Sequence, residues 1–283
     1  MIYDIDGNII STAYDINGDQ LTQCYDIDGN PLLSGESLKV MTYNVGRFTN
    51  FNSQQAMQNA IITNNEPDII GMQELGSGSI SSVGTNMLSD YAVKQLSNHN
   101  NKILMVSKTI QLSNLVIADF VHQDPKDEQL YGETRAYMKA DIDVNGKNVT
   151  WINSHLAFNT KSVQYEQMGE IFTMAEQCDR VIITADFNSG DINASSDDYI
   201  YMYKQFVDAG YNLANCSPSA GFTKTYTGLT SASSLADFEK CTDSIIVSGN
   251  IAINQVIFDT TKLSYQNGQS IDHIPVVAKL IIY

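Results

Sequence analysis

Short apolar, β-prone runs recur from residue 38 to the end of the chain, some joined by tight turns and others separated by helical stretches. "RAYMKADIDV" (135–144) and "NVTWINSHL" (148–156) flank Asn145-Gly146. That dipeptide tolerates positive φ at both central positions of a two-residue hairpin, so antiparallel pairing is built into the middle of the chain. "LKVMTYNV" (38–45), "DIIGMQEL" (68–75), "KILMVSK" (102–108), "LVIADF" (115–120), "VIITADFNSG" (181–190), "CTDSIIVSG" (241–249) and "IPVVAKLII" (274–282) read as further strands. "SQQAMQNAIITNN" (53–65) and "SVQYEQMGEIFTMAEQCD" (162–179) have helical spacing, and "SSDDYIYMYKQFVDAG" (195–210) reads as a helix that stops at Gly210. Hairpins mixed with helices do not fit a simple strand–helix–strand repeat. They predict an α/β fold with two mostly antiparallel sheets packed face to face and helices covering the outside.

The first 37 residues follow a different rule. "YDIDGN", "YDINGD" and "YDIDGN" begin at Tyr3, Tyr14 and Tyr25, a step of 11 residues. Each unit carries Asp-Gly or Asn-Gly, which favours a tight hairpin turn. Residues 1–37 are therefore expected to form a small β-repeat appendage, with "LLSGES" (32–37) as its junction to a second unit, 38–283. A calcium loop starting at Asp4 would need Gly at its sixth position and Glu at its twelfth, where Ile9 and Asp15 stand. A short tandem repeat buries little surface by itself, so attachment to a partner or homo-oligomer formation is the expected use.

The charge balance limits the partners. Sixteen Lys and Arg face 32 Asp and Glu, for a net charge of −16, and the arginines are Arg47, Arg135 and Arg180. The basic face of a typical nucleic-acid binder is missing. A nuclease is still compatible, because a bound metal supplies positive charge locally. No run approaches the roughly 18 apolar residues of a transmembrane helix. "MIYDIDGNII" has no basic and apolar leader pattern, so no signal peptide is visible, and the location is left open between the cytoplasm and export or assembly by another route. Cys24, Cys178, Cys216 and Cys241 match no zinc spacing; free thiols are the first reading, with a disulfide left open.

Function is suggested by where polar residues fall. Apolar runs end at Asn44, Glu74, His155, and Asp186 with Asn188; Asp243 starts a run, and Asp272-His273 immediately precedes one. Each alone has an ordinary explanation: a turn, a solvated rim or a satisfied core imidazole. Together, such strand ends can converge on one rim of a sandwich. Glu74 could hold a hard cation, with Asn44 and Asp272 completing the shell directly or through water. Such a cation offsets charge on a phosphate oxygen. Asp186 could orient or deprotonate water, and Asn188 could hold that geometry or bond a phosphate oxygen. His273 could donate a proton or hydrogen bond while Asp243 fixes its tautomer. His99 and His122 lie in polar stretches and read as surface residues.

These residues, in this order, resemble the endonuclease/exonuclease/phosphatase superfamily. The matching segments are "MTYNV", "PDIIGMQE", "TRAYMKADI", "VTWINSHL", "VIITADFNS", "CTDSIIVS" and "SIDHIPVVAKL", spread over residues 38–283. The resemblance implies a four-layer α/β sandwich. It also implies Mg²⁺ or Mn²⁺, with Ca²⁺ as a further candidate, at Glu74 with Asn44 and Asp272 close by. Asp186 matches the residue that aligns the attacking water, Asn188 its partner, His273 the catalytic histidine and Asp243 the carboxylate that orients it. His155 lies in the "N-x-H-L" segment of the deoxyribonuclease, sphingomyelinase and phosphatase branches, and Arg135 falls where several members contact phosphate. Two departures stand beside reacting groups: Ala185 where the family usually has Gly, and Ile271 where it has a small polar residue. Either could shift the site's backbone.

The implied reaction is hydrolysis of a phosphoester by in-line attack of water, on a phosphodiester or phosphomonoester that includes nucleic acid among the candidates. A nuclease-like phosphodiesterase is the first expectation. A phosphatase or sphingomyelinase-like head-group hydrolase is the alternative, although "LTSASSLADF" (229–238) is a small, polar candidate for a membrane hairpin. A binding or structural module that keeps the fold without catalysis is the reading from another class.

Overall fold

A computed structural model describes residues 2–3, 9–10, 35–46, 55–74, 92–95, 103–132, 134–190, 192–217, 221–227, 234–265 and 272–283. Twelve strands make two six-stranded sheets. In chain order they begin with β1 (Glu36–Asn44), β2 (Ile69–Gln73), β3 (Ala92–Gln95), β4 (Leu104–Ser107), β5 (Leu112–Asp119) and β6 (Ala136–Val144). They continue with β7 (Lys147–His155), β8 (Val181–Asp186), β9 (Asn212–Leu213), β10 (Asp243–Val247), β11 (Ile251–Phe258) and β12 (Val276–Ile282). The first sheet runs β11-β12-β1-β2-β4-β3 and the second β9-β10-β8-β7-β6-β5.

Most neighbours are antiparallel, as the Asn145-Gly146 hairpin between β6 and β7 requires. Each sheet also holds one parallel pair, β1 with β2 and β7 with β8. Parallel neighbours need a crossover, usually a helix. α1 (Gln55–Asn65) supplies the first and a later 16-residue helix, Lys161–Glu176, the second. Two strands running the same way end at the same edge of their sheet. Asn44 and Gln73 therefore end together, and Asp186 lies in register with His155.

The layers are held by three apolar clusters. Between the sheets, Leu38, Val40, Ile69 and Met105 meet Met138, Trp151, Ile182 and Ile245. Met41, Tyr43, Ile70 and Met72 on the outer face of the first sheet pack against Met57 and Ile61 of α1. Ile152, Ile183, Ala185 and Phe187 on the outer face of the second sheet pack against Met168 and Ile171 of the 16-residue helix. Each such side chain, removed from water, contributes about 1.5–3 kcal/mol before entropy is counted. The result is the expected four-layer sandwich of helix, sheet, sheet and helix.

The space between the sheets turns polar toward the strand ends. Gln73 Nε2 donates to Asn153 Oδ1 (2.8 Å), Asn153 Nδ2 to the Met72 carbonyl (3.1 Å), and Trp151 Nε1 to Thr184 Oγ1 (2.9 Å). Gly71 makes this approach possible: a Cβ there would lie 2.1 Å from Thr184 Oγ1 and 2.5 Å from Asn153 Oδ1.

Several elements depart from the sequence reading. β1 begins at Glu36, because Glu36 and Ser37 extend the ladder to Ile282 and Ile281. β3, β9, β11 and the short helix α2 (Pro125–Tyr131) were not expected. In chain order the 16-residue helix is α3, and it stops at Glu176 rather than near 179. The stretch 195–210 is a π-helical turn, Tyr199–Tyr203, running into α4 (Lys204–Asp208). Of the 11-residue repeat, Ile2–Tyr3 pairs antiparallel with Ile9–Ile10. The rest of the repeat and its junction up to residue 34 lie outside the described residues, as do Cys24, Arg47, His99 and Ile271. Cys178 and Cys241 are free thiols. Among the described residues no helix is long and apolar enough to cross a membrane.

Candidate active site

The ends of both parallel pairs meet at one rim. Asn44 closes β1, and its Nδ2 donates to Asp186 Oδ2 at 2.7 Å, joining residues 142 positions apart. The Asn44 Oδ1 accepts from the Gly46 N–H at 2.9 Å, which fixes which way the amide faces. Asp186, at the end of β8, is 1% exposed. Its Oδ1 accepts from the Asn188 N–H at 2.8 Å. Asn188 sits at φ 51°, so the chain turns back on itself just past the strand, and its Nδ2 donates to the Leu156 carbonyl at 2.8 Å. The Asn188 side chain thus ties the β8 end to the β7 end.

His273 faces the same point from the strand-entry side of β12. Its Nδ1–H donates to Asp243 Oδ2 at 2.8 Å, and its Nε2 lies 3.7 Å from Asp186 Oδ2. Asp243 Oδ2 also accepts from the hydroxyls of Thr225 and Thr242, both at 2.8 Å. Three donors on one oxygen hold the carboxylate still, and the carboxylate holds the ring. Tyr226 packs edge-on against the His273 ring at 4.9 Å.

His155 Nε2 lies 3.4 Å from Asp186 Oδ2 and 3.8 Å from Glu74 Oε1. Glu74 follows β2 at φ 59°, a backbone conformation that costs a non-glycine residue free energy of order 1–3 kcal/mol and gathers at functional sites. Two sets of donor atoms lie within 4.8 Å of one another: Glu74, His155 and Asp186; and Asp186, Asp243 and His273. The first set offers two carboxylates and an imidazole, donors that could hold a metal ion. Around Glu74 the structure gathers His155 and Asp186, and Asp272 Oδ1 accepts from the His273 N–H at 3.0 Å.

Burial and charge set the protonation states. Burial first, then the Asp243 charge, pushes the Asp186 carboxyl up to about 7, against the opposing pull of His273, the Asn188 N–H and the Asn44 amide. For His273, burial is the largest single influence and disfavours the cation. The charges of Asp243 and Asp186, the hydrogen bond to Asp243 and the charge of Asp272 together outweigh it and hold the ring up at about 10.

Arg135 stands just before β6 with its guanidinium buried on Asp127: Nε and Nη2 each lie 2.7 Å from Oδ2. Asp127 also accepts from the Phe158 and Asn159 backbone N–H groups. The pair anchors the loop after His155. His122 is on the surface as expected, paired with Glu170 at 2.8 Å. A groove of about 590 Å³ there, lined by His122, Tyr137, Glu170 and Phe172, holds none of the strand-end residues.

Ala185 packs on the helix side of its sheet. Its methyl lies with Ile183 and Phe187 in the helix-side cluster, while Asp186, one residue on, faces the opposite way. The β8 ladder runs unbroken to Asp186 against both neighbours. Thr225, Thr242 and Tyr226 escaped the sequence reading; Thr242 beside Asp243 was the one local signal.

No protein-family model and no curated protein matches the sequence. Solved structures do. An endonuclease/exonuclease/phosphatase from Bacteroides vulgatus superposes with a TM-score of 0.67 at 16% identity, over 87% of this chain and 99% of that one. D. rerio TDP2 complexed with single strand DNA product gives 0.65 at 13% identity, over 86% and 98%. The mannosyl-6-phosphatase Bt3783 of Bacteroides thetaiotaomicron gives 0.65 at 14%, over 87% and 100%. The chain has the fold shared by these endonuclease/exonuclease/phosphatase proteins.

Proposed function

We propose that the protein is a divalent-metal-dependent phosphoester hydrolase, acting first as a nuclease-like phosphodiesterase. The observation that carries this reading is the meeting of Asp186, Asn44, His155 and the Asp243–His273 pair at the shared ends of two parallel strand pairs. Glu74 would hold the ion together with Asn44 and Asp272, and His155 and Asp186 offer further donor atoms beside Glu74. A divalent ion bound there supplies Lewis-acid charge for a phosphate oxygen.

Every other role belongs to side chains of the chain. Asp186, as the carboxylate, accepts a proton from water and aims the water oxygen at phosphorus. Asn44 and the Asn188 N–H hold that carboxylate from two directions. As the new P–O bond forms, the opposite P–O bond breaks. His273, protonated and oriented by Asp243, donates to the oxygen that gains negative charge. Asn188 and Arg135 are the proposed phosphate contacts, Arg135 less directly, since Asp127 holds its guanidinium.

A phosphomonoester substrate is the second reading. The net charge of −16 disfavours a long polyanion, and the fold is shared with a protein named as a mannosyl-6-phosphatase. Plasmid DNA, single-stranded DNA, bis-p-nitrophenyl phosphate and p-nitrophenyl phosphate, each with Mg²⁺, Mn²⁺ or chelator, separate the two. The expected result is metal-dependent turnover of a diester, lowered about 10³-fold by His273→Ala, the range for a lost proton donor. Turnover that survives chelation, or is unchanged in H273A, would overturn the assignment. No turnover of any substrate would favour a non-catalytic binding module.

A further inference from the structure

A lysine lies buried behind the site. Lys262 is 1% exposed, and its Nζ makes no hydrogen bond among the described residues. The ammonium stands 4.7 Å from the centre of the Tyr43 ring, the residue before Asn44. Tyr43 is itself pinned, its hydroxyl donating to Gln58 Oε1 at 2.6 Å. The 3₁₀ turn that carries the lysine, Thr261–Tyr265, is fastened from outside: the Thr261 N–H donates to Asp259 Oδ1 at 2.6 Å, and Asn65 of α1 donates to the other oxygen of Asp259.

A buried ammonium without a hydrogen-bond partner is costly, and such groups survive where nearby charge compensates them. Burial is the largest influence and holds the Lys262 amine below its ordinary 10.5, while the charges of Asp272, Asp243 and Glu74 oppose that fall. The ring face of Tyr43 opposes it too. With Asp186 ionised, the rim carries four carboxylates, Glu74, Asp186, Asp243 and Asp272. The His273 imidazolium and the Lys262 ammonium offset two of them, leaving the charge that one divalent ion neutralises.

We propose that Lys262 is a resident cation of this site, a positioning residue whose fixed charge behind Tyr43 sets how tightly the rim binds a divalent ion. This rests on the reading that the rim takes such an ion. The lysine repels the ion modestly and stabilises the carboxylates in its absence, so it limits affinity.

Isothermal titration with Mn²⁺ on the full chain tests this with Lys262→Met, which keeps length and removes charge, and Lys262→Arg, which keeps charge. K262M is expected to bind Mn²⁺ about tenfold more tightly than wild type, the order for a unit charge removed from a partly screened site. K262R is expected to stay within about threefold, because the charge persists. A merely structural lysine would leave the affinity of folded K262M unchanged, and that result overturns the proposal. Should K262M fail to fold, Lys262→Gln, also uncharged, takes its place: tighter Mn²⁺ binding by about tenfold supports the proposal, and unchanged affinity rejects it. A wild type that binds no Mn²⁺ overturns the metal reading itself, a failure distinct from an unaltered K262M.

Discussion

Asp243 spends one oxygen, Oδ2, on three donors: Thr225, Thr242 and His273. That arrangement makes the site's protonation predictable residue by residue. His273 holds its proton up to about 10 in the folded chain, above its ordinary 6.5. Its contribution to stability is therefore complete below about pH 6.5 and is lost as pH rises through 10. Asp186 binds its proton up to about 7 against an ordinary 3.8, so its contribution is complete below about pH 4 and is lost as pH rises through 7. Both act in one direction: their joint contribution to the metal-free protein should fall between about pH 4 and 10, measured by urea unfolding across that range. Asp243→Asn removes the largest influence that favours the His273 cation. Its imidazole pKa should fall toward the ordinary range near 6.5, as read by NMR titration, and the alkaline loss should move down with it. An unchanged His273 titration in D243N would show that the pair does not set the ring's charge.

The element that most shapes the site is the parallel pair, which occurs once in each sheet. Gly71 in β2 leaves no room for a Cβ against Thr184 and Asn153 of the facing sheet. Gly71→Ala should destabilise the fold by about 1–3 kcal/mol through overpacking, visible as a lower urea midpoint at unchanged slope. A midpoint equal to wild type would mean that Thr184 and Asn153 yield freely. Strands with clean apolar runs and marked ends, such as β7 and β8, were legible in the sequence. β11 was not, because a register shift between Ile253 and Gln255 breaks its alternation. α2 is only seven residues long, too short for a periodic signal. Its ends were nevertheless marked: the Asp124 side chain accepts from the Lys126 N–H, Pro125 opens the helix, and Gly132 closes it at φ 65°.

At the scale of the whole molecule, both sheets close within residues 35–283, with Glu36 paired to Ile282 at the far end of the chain. A chain of residues 35–283 should therefore melt within a few degrees of the full chain. A loss above roughly 8 °C, beyond the shift expected for about 2 kcal/mol, would show that the 11-residue repeat packs on the sandwich. Sedimentation of the same pair tests whether the repeat drives self-association.

The sequence by itself determined which polar residues end or open the strands that carry the site, because the apolar runs and their polar stops are local patterns. Asn44, Glu74, His155, Asp186, Asp243 and His273 could be picked out that way. It could not show that they meet. Asn44 and His273 are 229 positions apart, and only strand order and helical crossovers bring them within 3.4 Å. Nor could it show which way the Ala185 methyl faces, whether Asp127 holds Arg135, or that Lys262 lies behind Tyr43. Those outcomes depend on which faces pack together, a non-local choice made by the burial of three apolar clusters, and pattern along the chain does not encode it.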